Sequence, residues 1–279
     1  EAADAALLEG TFGQAFVVVR NGKIIFEQYR GITEQEAQVV ANASPILSSS
    51  DILERYGTRD KNSLATSWSV AKSFTSALFG VALEQGSLIS TDETVGLYLG
   101  DWAVDGRSSV TFQEVLDMRS GLTPVCFNAE TGLLGECTGA AANGGDLVRA
   151  DDQLTPCIER PLARQGEIYG WWDGGRTPYP GRTFLYSNCD TMVLGKVLND
   201  VQTGDFSGWA EENLFAKIGM EAFWWKDNSQ TEDGNILSYC CIDAIPRDFA
   251  RLGQLFLNGG SYGGAQVASQ AYFEAIASA

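Results

Sequence analysis

The sequence predicts a mixed α and β chain, and three features carry that prediction. A hairpin signal stands near the N-terminus, helical periodicity dominates from residue 69 onward, and a long irregular excursion runs from residue 122 to 184. Apolar residues make up 44% and aromatics 11% of the 279 residues, which suits a packed core and excludes a disordered chain. This length buries one core, or two lobes sharing one.

The hairpin comes first. Ala15–Arg20 and Ile24–Tyr29 are apolar stretches flanking Asn21-Gly22, the pair that favours a two-residue turn. Polar, irregular sequence follows to about residue 65. A helix is then expected from Ser69 to Gln85, because Val70, Phe74, Leu78 and Val81 recur at three- and four-residue spacing and Gly86 stands at the C-cap. Thr111 and Glu114 form a capping box that opens a second helix, which runs to Met118 ahead of Ser120-Gly121.

Residues 122–184 hold five prolines and three cysteines and are expected to be a surface excursion, a kind of segment that usually carries function. Helical patterns return at 189–201, 208–217 and 247–257, the last closed by Asn258-Gly259-Gly260. Only two convincing strands precede residue 260, and a lone hairpin is marginal in water. Either helices cover the hairpin or its sheet draws on strands from elsewhere.

Charge and missing residue types narrow the function. With 36 acidic and 19 basic residues the net charge is −17, which repels phosphate backbones and argues against nucleic acid as a partner. No apolar run approaches the roughly 20 residues of a membrane-spanning helix. The chain contains no histidine, which excludes Ser-His-Asp and Cys-His catalysis and histidine-ligated zinc. A nucleophile in this chain needs another activating group, and lysine and tyrosine are the main candidates.

The six cysteines, Cys126, Cys137, Cys157, Cys189, Cys240 and Cys241, include no Cys-x-x-Cys pair, which speaks against zinc-ribbon, iron–sulfur and thioredoxin-like sites. Their even number favours disulfides over buried thiols. One bridge would close the Gly-rich stretch between Cys126 and Cys137, and Cys240 and Cys241 are expected to bond to different partners. The N-terminal Glu1-Ala2-Ala3-Asp4 has neither a basic segment nor an apolar signal core. Such an end suits a chain matured by export as well as a boundary of the sequence. A periplasmic or secreted location is the expectation, with which six Lys against thirteen Arg and an acidic balance are compatible without deciding it.

Ser69-Val70-Ala71-Lys72 places a hydroxyl and an amine on one helical face. The positive helix N-terminus favours a developing alkoxide, and a desolvated lysine can be neutral near pH 7 and accept the serine proton. Taken alone, the pattern suits a Ser-capped surface helix equally well. Among the six lysines, however, only Lys72 follows a serine by three residues. Further along, Pro180-Gly181 leads into Tyr186-Ser187-Asn188. A tyrosine near the lysine can act as base or proton shuttle, and an Asn amide can hold a substrate carbonyl and the lysine together. By itself Tyr-x-Asn is common and usually structural.

Together, Ser69-Val-Ala-Lys72-Ser-Phe-Thr-Ser and Pro180-Gly…Tyr186-Ser-Asn188 resemble the first two motifs of the serine β-lactamase/penicillin-recognising superfamily. Three further segments share the likeness. Val115-Leu-Asp-Met118-Arg-Ser-Gly-Leu122 resembles the family's LL-x-M-x-SGL, with Val for the first Leu. Leu214-Phe-Ala-Lys-Ile-Gly-Met220 resembles LF-x-PLGM, and Arg247-Asp-Phe-Ala-Arg-Leu-Gly253 with Asn258-Gly-Gly260 resembles RD-x-ARFG…NGG. The branch resembled holds class C β-lactamases, DD-peptidases, family VIII esterases and 6-aminohexanoate-dimer hydrolases, and the likeness runs from about residue 14 to 275.

The resemblance implies an α/β, or α+β, two-lobe β-lactamase/transpeptidase-like fold. In it an antiparallel sheet flanked by helices comes from residues 1–65 and 240–279, a mostly helical lobe from 66–239, and the site lies between them. It implies that Ser69 is acylated, with Lys72 its general base, Tyr186 a second acid or base, Asn188 a substrate-amide contact and the Ser69 N–H an oxyanion donor. No metal or organic cofactor is implied. Trp171-Trp172 either line a substrate cleft or pin the excursion, while Trp224-Trp225 are expected to pack between elements. Cys189 lies near Tyr186, but as a nucleophile it has no histidine partner.

The family's third motif, Lys/His-Thr/Ser-Gly, belongs beyond Arg247–Gly260, yet no Lys here precedes Ser/Thr-Gly, and Lys217-Ile218-Gly219 is misplaced for it. The C-terminal sheet strands therefore read as missing from this chain, and a further polypeptide segment is expected to complete the sheet. The expected reaction is hydrolysis of a small-molecule amide or ester through a Ser69 acyl-enzyme. Ser187-Asn188 and the Trp/Gly-rich excursion look more like 6-aminohexanoate-dimer hydrolases and esterases. A β-lactamase or DD-peptidase is the enzymatic alternative. A catalytically silent penicillin-binding-like domain is the alternative of another class.

Overall fold

The computed structural model describes residues 1–43, 47–128, 133–136, 147, 150–164, 179–202, 204–229 and 234–278. A short helix, α1 (Ala2–Ala6), precedes the hairpin of β1 (Ala15–Arg20) and β2 (Lys23–Tyr29). Asn21 and Gly22 have φ of 50° and 71°, the paired positive values that a type I′ turn needs, so the turn forms where the sequence places it. The strands pair antiparallel from Ala15↔Tyr29 to Arg20↔Lys23, with a bulge between Val18 and Val19.

The expected irregular stretch to residue 65 instead holds two helices, α2 (Glu34–Ala43) and α3 (Ser49–Tyr56). Ser48 and Asp51 form a capping box at the start of α3, and Ile52 buries against Ile32 and Ala37 in a small core of its own. Glu36 fastens this unit: buried, it accepts from the Arg30 guanidinium and from the N–H groups of Gly10, Phe12 and Thr33.

After β3 (Ala65–Thr66) comes a 3-10 turn over Trp68–Val70 that runs directly into α4 (Ala71–Gln85). The helix ends as expected at Gly86, in a left-handed conformation at φ 73°. Its packing goes beyond an amphipathic stripe. Phe74, Ala77, Leu78, Phe79, Val81 and Ala82 are all fully buried, so α4 is the central helix of the main core. Each large side chain among them contributes about 1.5–3 kcal/mol by leaving water.

Around it stand α5 (Gly100–Ala103), α6 (Phe112–Leu116), α7 (Thr155–Glu159), α8 (Asn188–Val201), α9 (Phe206–Ala210) and α10 (Ala216–Ile218). The expected Thr111/Glu114 capping box is present at α6. The excursion is not wholly irregular, since it contains α7 and a hairpin, β4 (Val125–Asn128) with β5 (Leu133–Glu136). The remaining elements are β6 (Phe223–Trp224), β7 (Ile242–Ala244), α11 (Pro246–Leu257), β8 (Ser261–Tyr262), β9 (Ala265–Gln266) and α12 (Gln270–Ser278). At Gly80 a Cβ would stand 2.8 Å from the Tyr272 ring, so α12 approaches the central helix more closely than any larger residue permits.

The sheets number four among the described residues: β1-β2, β3-β7-β6, β4-β5 and β8-β9, all antiparallel. The strands beyond the first hairpin escaped the sequence because runs of two to four residues are too short for a period-two pattern. Trp224 packs on the main core as expected, whereas Trp225 is largely exposed and donates through its indole N–H to Asp243. No helix among the described residues is long and apolar enough to cross a membrane.

One cysteine expectation needs correction. Cys240 and Cys241 are bonded to each other, not to different partners. Their segment turns sharply, with Cys241 left-handed at φ 71°, and Cys189, another cysteine of the same small core, is taken by Cys157 across 32 residues. The second bridge also removes Cys189 as a nucleophile. The expected bridge between Cys126 and Cys137, and Trp171 and Trp172, lie outside what the described residues cover.

Candidate active site

Ser69 sits in the 3-10 turn and Lys72 in the first turn of α4. No side-chain cap bond forms at this helix start, so Ser69 is not spent as a cap. Lys72 Nζ lies 3.2 Å from Ser69 Oγ. The same amine donates to the Tyr239 carbonyl at 2.9 Å and lies 4.9 Å from the centre of the Tyr186 ring and 5.3 Å from that of Tyr239.

Three expected residues are therefore brought together around one amine. Burial pushes Lys72 below the ordinary lysine range, against an opposing pull from Tyr186. For Tyr186, burial acts to raise the hydroxyl, yet hydrogen bonding to Lys72 and Ser69 and the lysine charge outweigh it and bring it below the ordinary tyrosine value. These are the shifts that put a lysine and a tyrosine to work as proton carriers nearer neutral pH.

The fold places Tyr186 through its neighbours. Leu185 N–H donates to the Met118 carbonyl at 2.9 Å, and Ser187 N–H reaches Met118 Sδ at 3.4 Å, so the tyrosine is strapped at both sides to one residue. Gly121 has φ 73°, and a Cβ there would stand 2.4 Å from Pro180, which explains a glycine in this turn. Ser187 caps α8 by accepting from Asp190 N–H, so Asn188 opens the helix with its Oδ1 buried and unpartnered.

Beneath this segment lies a buried ion pair that the sequence did not reveal. Arg160 pairs with Asp190, at 3% and 1% side-chain exposure. Arg160 also donates to Ser187 Oγ at 3.0 Å and to the Cys157 carbonyl at 3.1 Å, and Asp190 accepts from Ser120 at 3.0 Å. Together with the Cys157–Cys189 bridge it joins α7, the Ser120 turn and the start of α8 under Tyr186 and Asn188.

On the other side, residues 237–242 pass between α4 and α8. Thr75 donates to the Ser238 carbonyl at 2.7 Å, and Ser238 donates to the Thr191 carbonyl at 2.9 Å. A Cβ at Gly195 would lie 2.4 Å from Ser238 Oγ, so α8 needs a glycine at this crossing. Ile242 and Ser67 are joined by two hydrogen bonds, Ser67 N–H to the Ile242 carbonyl and Ile242 N–H to Ser67 Oγ. Tyr239 was missed because nothing in a lone tyrosine 167 positions from Lys72 announces their contact.

Backbone conformation marks the same place. Of the non-glycine residues with positive φ among the described residues, Trp68, Met118 and Cys241 belong to the segments that hold Ser69, Tyr186 and Lys72. The site opens to solvent: Ser69 and Tyr186 are exposed, and neither of two cavities, of about 360 and 520 Å3, is lined by Ser69, Lys72 or Tyr186. Among the described residues no cluster of three or more acidic, Cys or His side chains forms a metal site.

Comparison with known proteins gives the family and the fold. The family profile named Beta-lactamase matches residues 2–275. No curated protein sequence matches the chain. Solved structures do. A candidate 6-aminohexanoate-dimer hydrolase from Bacillus anthracis superposes with a TM-score of 0.63 at 20% identity, over 94% of this chain and 58% of its own. A penicillin-binding protein from Bacillus halodurans gives 0.59 at 17% identity, over 93% and 73%. A class C β-lactamase from Rhodobacter sphaeroides gives 0.53 at 18%, over 94% and 64%. The chain thus spans just over half the length of the first of these, and at such identities the structural likeness speaks for the fold alone. The fold is β-lactamase/transpeptidase-like, and with a profile match over nearly all its length the chain belongs to the Beta-lactamase family.

Proposed function

We propose that this protein is a serine hydrolase that cleaves an amide or ester of a small molecule through an acyl-enzyme on Ser69. The observation that carries the reading is the Ser69 Oγ to Lys72 Nζ separation of 3.2 Å, with the amine depressed by burial. Neutral Lys72 takes the hydroxyl proton while Oγ bonds to the substrate carbonyl carbon. As the tetrahedral intermediate collapses, the bond to the leaving amine or alkoxide breaks, and that group takes a proton relayed from Lys72 through Tyr186. Water then attacks the acyl carbon and gives its proton to the same pair, and Ser69 Oγ leaves and is reprotonated. The Ser69 N–H serves as an oxyanion donor, and Asn188 Oδ1, buried without a partner, suits a substrate amide N–H.

A 6-aminohexanoate-dimer hydrolase- or esterase-like substrate choice is favoured by Ser187-Asn188 and by the first of the structural likenesses. The two described disulfides support a periplasmic or secreted location, where thiols oxidise. A further polypeptide segment completing the β1-β2 sheet is part of the proposal: none of the apolar residues of β1 is fully buried, although the strand reads as one covered on both faces.

The test is intact-protein mass spectrometry before and after incubation with a nitrophenyl ester and with a slow acylating β-lactam. An ester adduct mapping to Ser69, absent in Ser69→Ala, is the expected result. An adduct from the β-lactam with slow ester turnover moves the reading to a β-lactamase or DD-peptidase. Absence of both adducts overturns the hydrolase in favour of a catalytically silent binding domain.

A further inference from the structure

Tyr239 turns three parts of itself to use around Lys72. Its carbonyl accepts from the amine at 2.9 Å, its ring centre lies 5.3 Å from the same nitrogen, and its hydroxyl points away to donate to Gln153 Oε1 at 2.8 Å. The residue is 2% exposed. The carbonyl would be present whatever the side chain, but core filling alone does not ask for the hydroxyl, and an aliphatic residue would not set a ring beside the amine.

Both ends of Tyr239 are fastened. Gln153 is itself buried, and its N–H donates at 2.9 Å to Asp227. Asp227 also accepts from Asn235 N–H at 2.8 Å, Asn235 Nδ2 at 2.9 Å and Ser229 Oγ at 2.6 Å, so the acceptor of the tyrosine hydroxyl is anchored in a saturated network. On the C-terminal side, the Cys240–Cys241 bridge closes a ring around the peptide bond that follows the accepting carbonyl. Cys240 N–H donates to the Leu237 carbonyl at 3.0 Å, and the Cys241 carbonyl accepts from Trp225 N–H at 2.9 Å.

We propose that Tyr239 is a positioning residue for Lys72: its carbonyl and ring, pinned by Gln153 and by the adjacent Cys240–Cys241 bridge, hold the amine beside Ser69 and keep water from it. The inference rests on the reading of Lys72 as the base. Its physical content is a balance between two effects of the ring. The ring face attracts an ammonium, but the ring's bulk also excludes the water that would stabilise the charge. Burial moves Lys72 downward, and the proposal assigns the Tyr239 ring, 5.3 Å from the amine, a share of that burial.

The test measures kcat/KM for a nitrophenyl ester against pH, with the active fraction counted by the burst of acylation. Tyr239→Leu is smaller than tyrosine and removes ring and hydroxyl, so that water reaches the amine. It is expected to move the acid limb upward by about one unit, a tenfold loss on that limb, with KM little changed. Tyr239→Phe keeps the ring but loses the bond to Gln153, and is expected to move the limb in the same direction by less than Tyr239→Leu. Cys240→Ala/Cys241→Ala is expected to move it in the same direction as Tyr239→Leu. Should the leucine variant fail to fold, Tyr239→Met takes its place. An acid limb that neither replacement moves, with only the active fraction reduced, shows a residue that merely packs and overturns the proposal. A wild-type protein whose Ser69 never acylates overturns the reading of the whole site, a result distinguishable from the first.

Discussion

Lys72 Nζ lies 2.9 Å from the carbonyl oxygen of Tyr239, a contact that spans 167 residues of sequence and fixes the amine that faces Ser69. That one bond couples the first turn of the central helix to a loop held between two helices.

Ser69→Ala is expected to abolish covalent adduct formation and to lower ester turnover by about three orders of magnitude or more, without loss of stability. Ser69 is exposed and caps nothing, so the fold does not depend on it. Comparing the rate ratio with the thermal midpoint checks both halves.

The pH profile of kcat/KM should rise through an acid limb below the ordinary lysine value of about 10.4, because burial depresses Lys72 and the base works when neutral. Rate is lost as pH falls through the folded pKa, where the amine takes up its proton. An alkaline limb below about 10 is expected from Tyr186, whose hydroxyl is also depressed and must carry the proton to the leaving group. The two groups touch, so the limbs belong to the pair. A lysine-like limb at or above 10.4 contradicts the base assignment.

Arg160→Met leaves Asp190 buried without its cation and is expected to cost about 3–5 kcal/mol. Chemical denaturation reads the loss. The surviving folded fraction should also acylate more slowly, since Arg160 holds Ser187 between Tyr186 and Asn188.

Glu36 gives a stability change with a defined pH window. The Arg30 guanidinium, with backbone N–H groups of Thr33, Gly10 and Phe12, brings its carboxyl to about 2 from an ordinary 4.5. A depressed acid stabilises the fold fully above its unfolded value, and that contribution disappears as pH falls from about 4.5 to about 2. Glu36→Gln should therefore be less stable than wild type at pH 6, by about 1.5–3 kcal/mol for charged hydrogen bonds. The urea midpoints of the two proteins should converge near pH 2. A constant gap across that range would refute the assignment.

Removing the bridge with Cys157→Ala/Cys189→Ala is expected to cost about 3–4 kcal/mol, as befits a closed loop with a sequence separation of 32. Differential scanning calorimetry checks it.

Ser69, Lys72 and Tyr186, which the structure gathers around one amine, could be singled out because each lies in a short pattern that also resembles a family motif. The hairpin at Asn21-Gly22, the cap at Gly86 and the capping box at Thr111 were legible for the same reason, since each is a short-range rule written in adjacent residues. Tyr239, the Arg160–Asp190 pair and the three-stranded sheet of β3, β7 and β6 were not. Their partners are distant in sequence, and strands of two or three residues carry no period. The bond between Cys240 and Cys241 was misjudged because adjacency alone does not say that the backbone turns left-handed there.

The sequence by itself determined which residue types are available for such chemistry, since a chain without histidine and with one Ser-x-x-Lys leaves few ways to activate a hydroxyl. Tertiary structure alone decided that the amine would be desolvated and aimed. Both properties arise from side chains and carbonyls that meet only when the Tyr239 loop is pressed between α4 and α8, because burial and direction belong to neighbours in space.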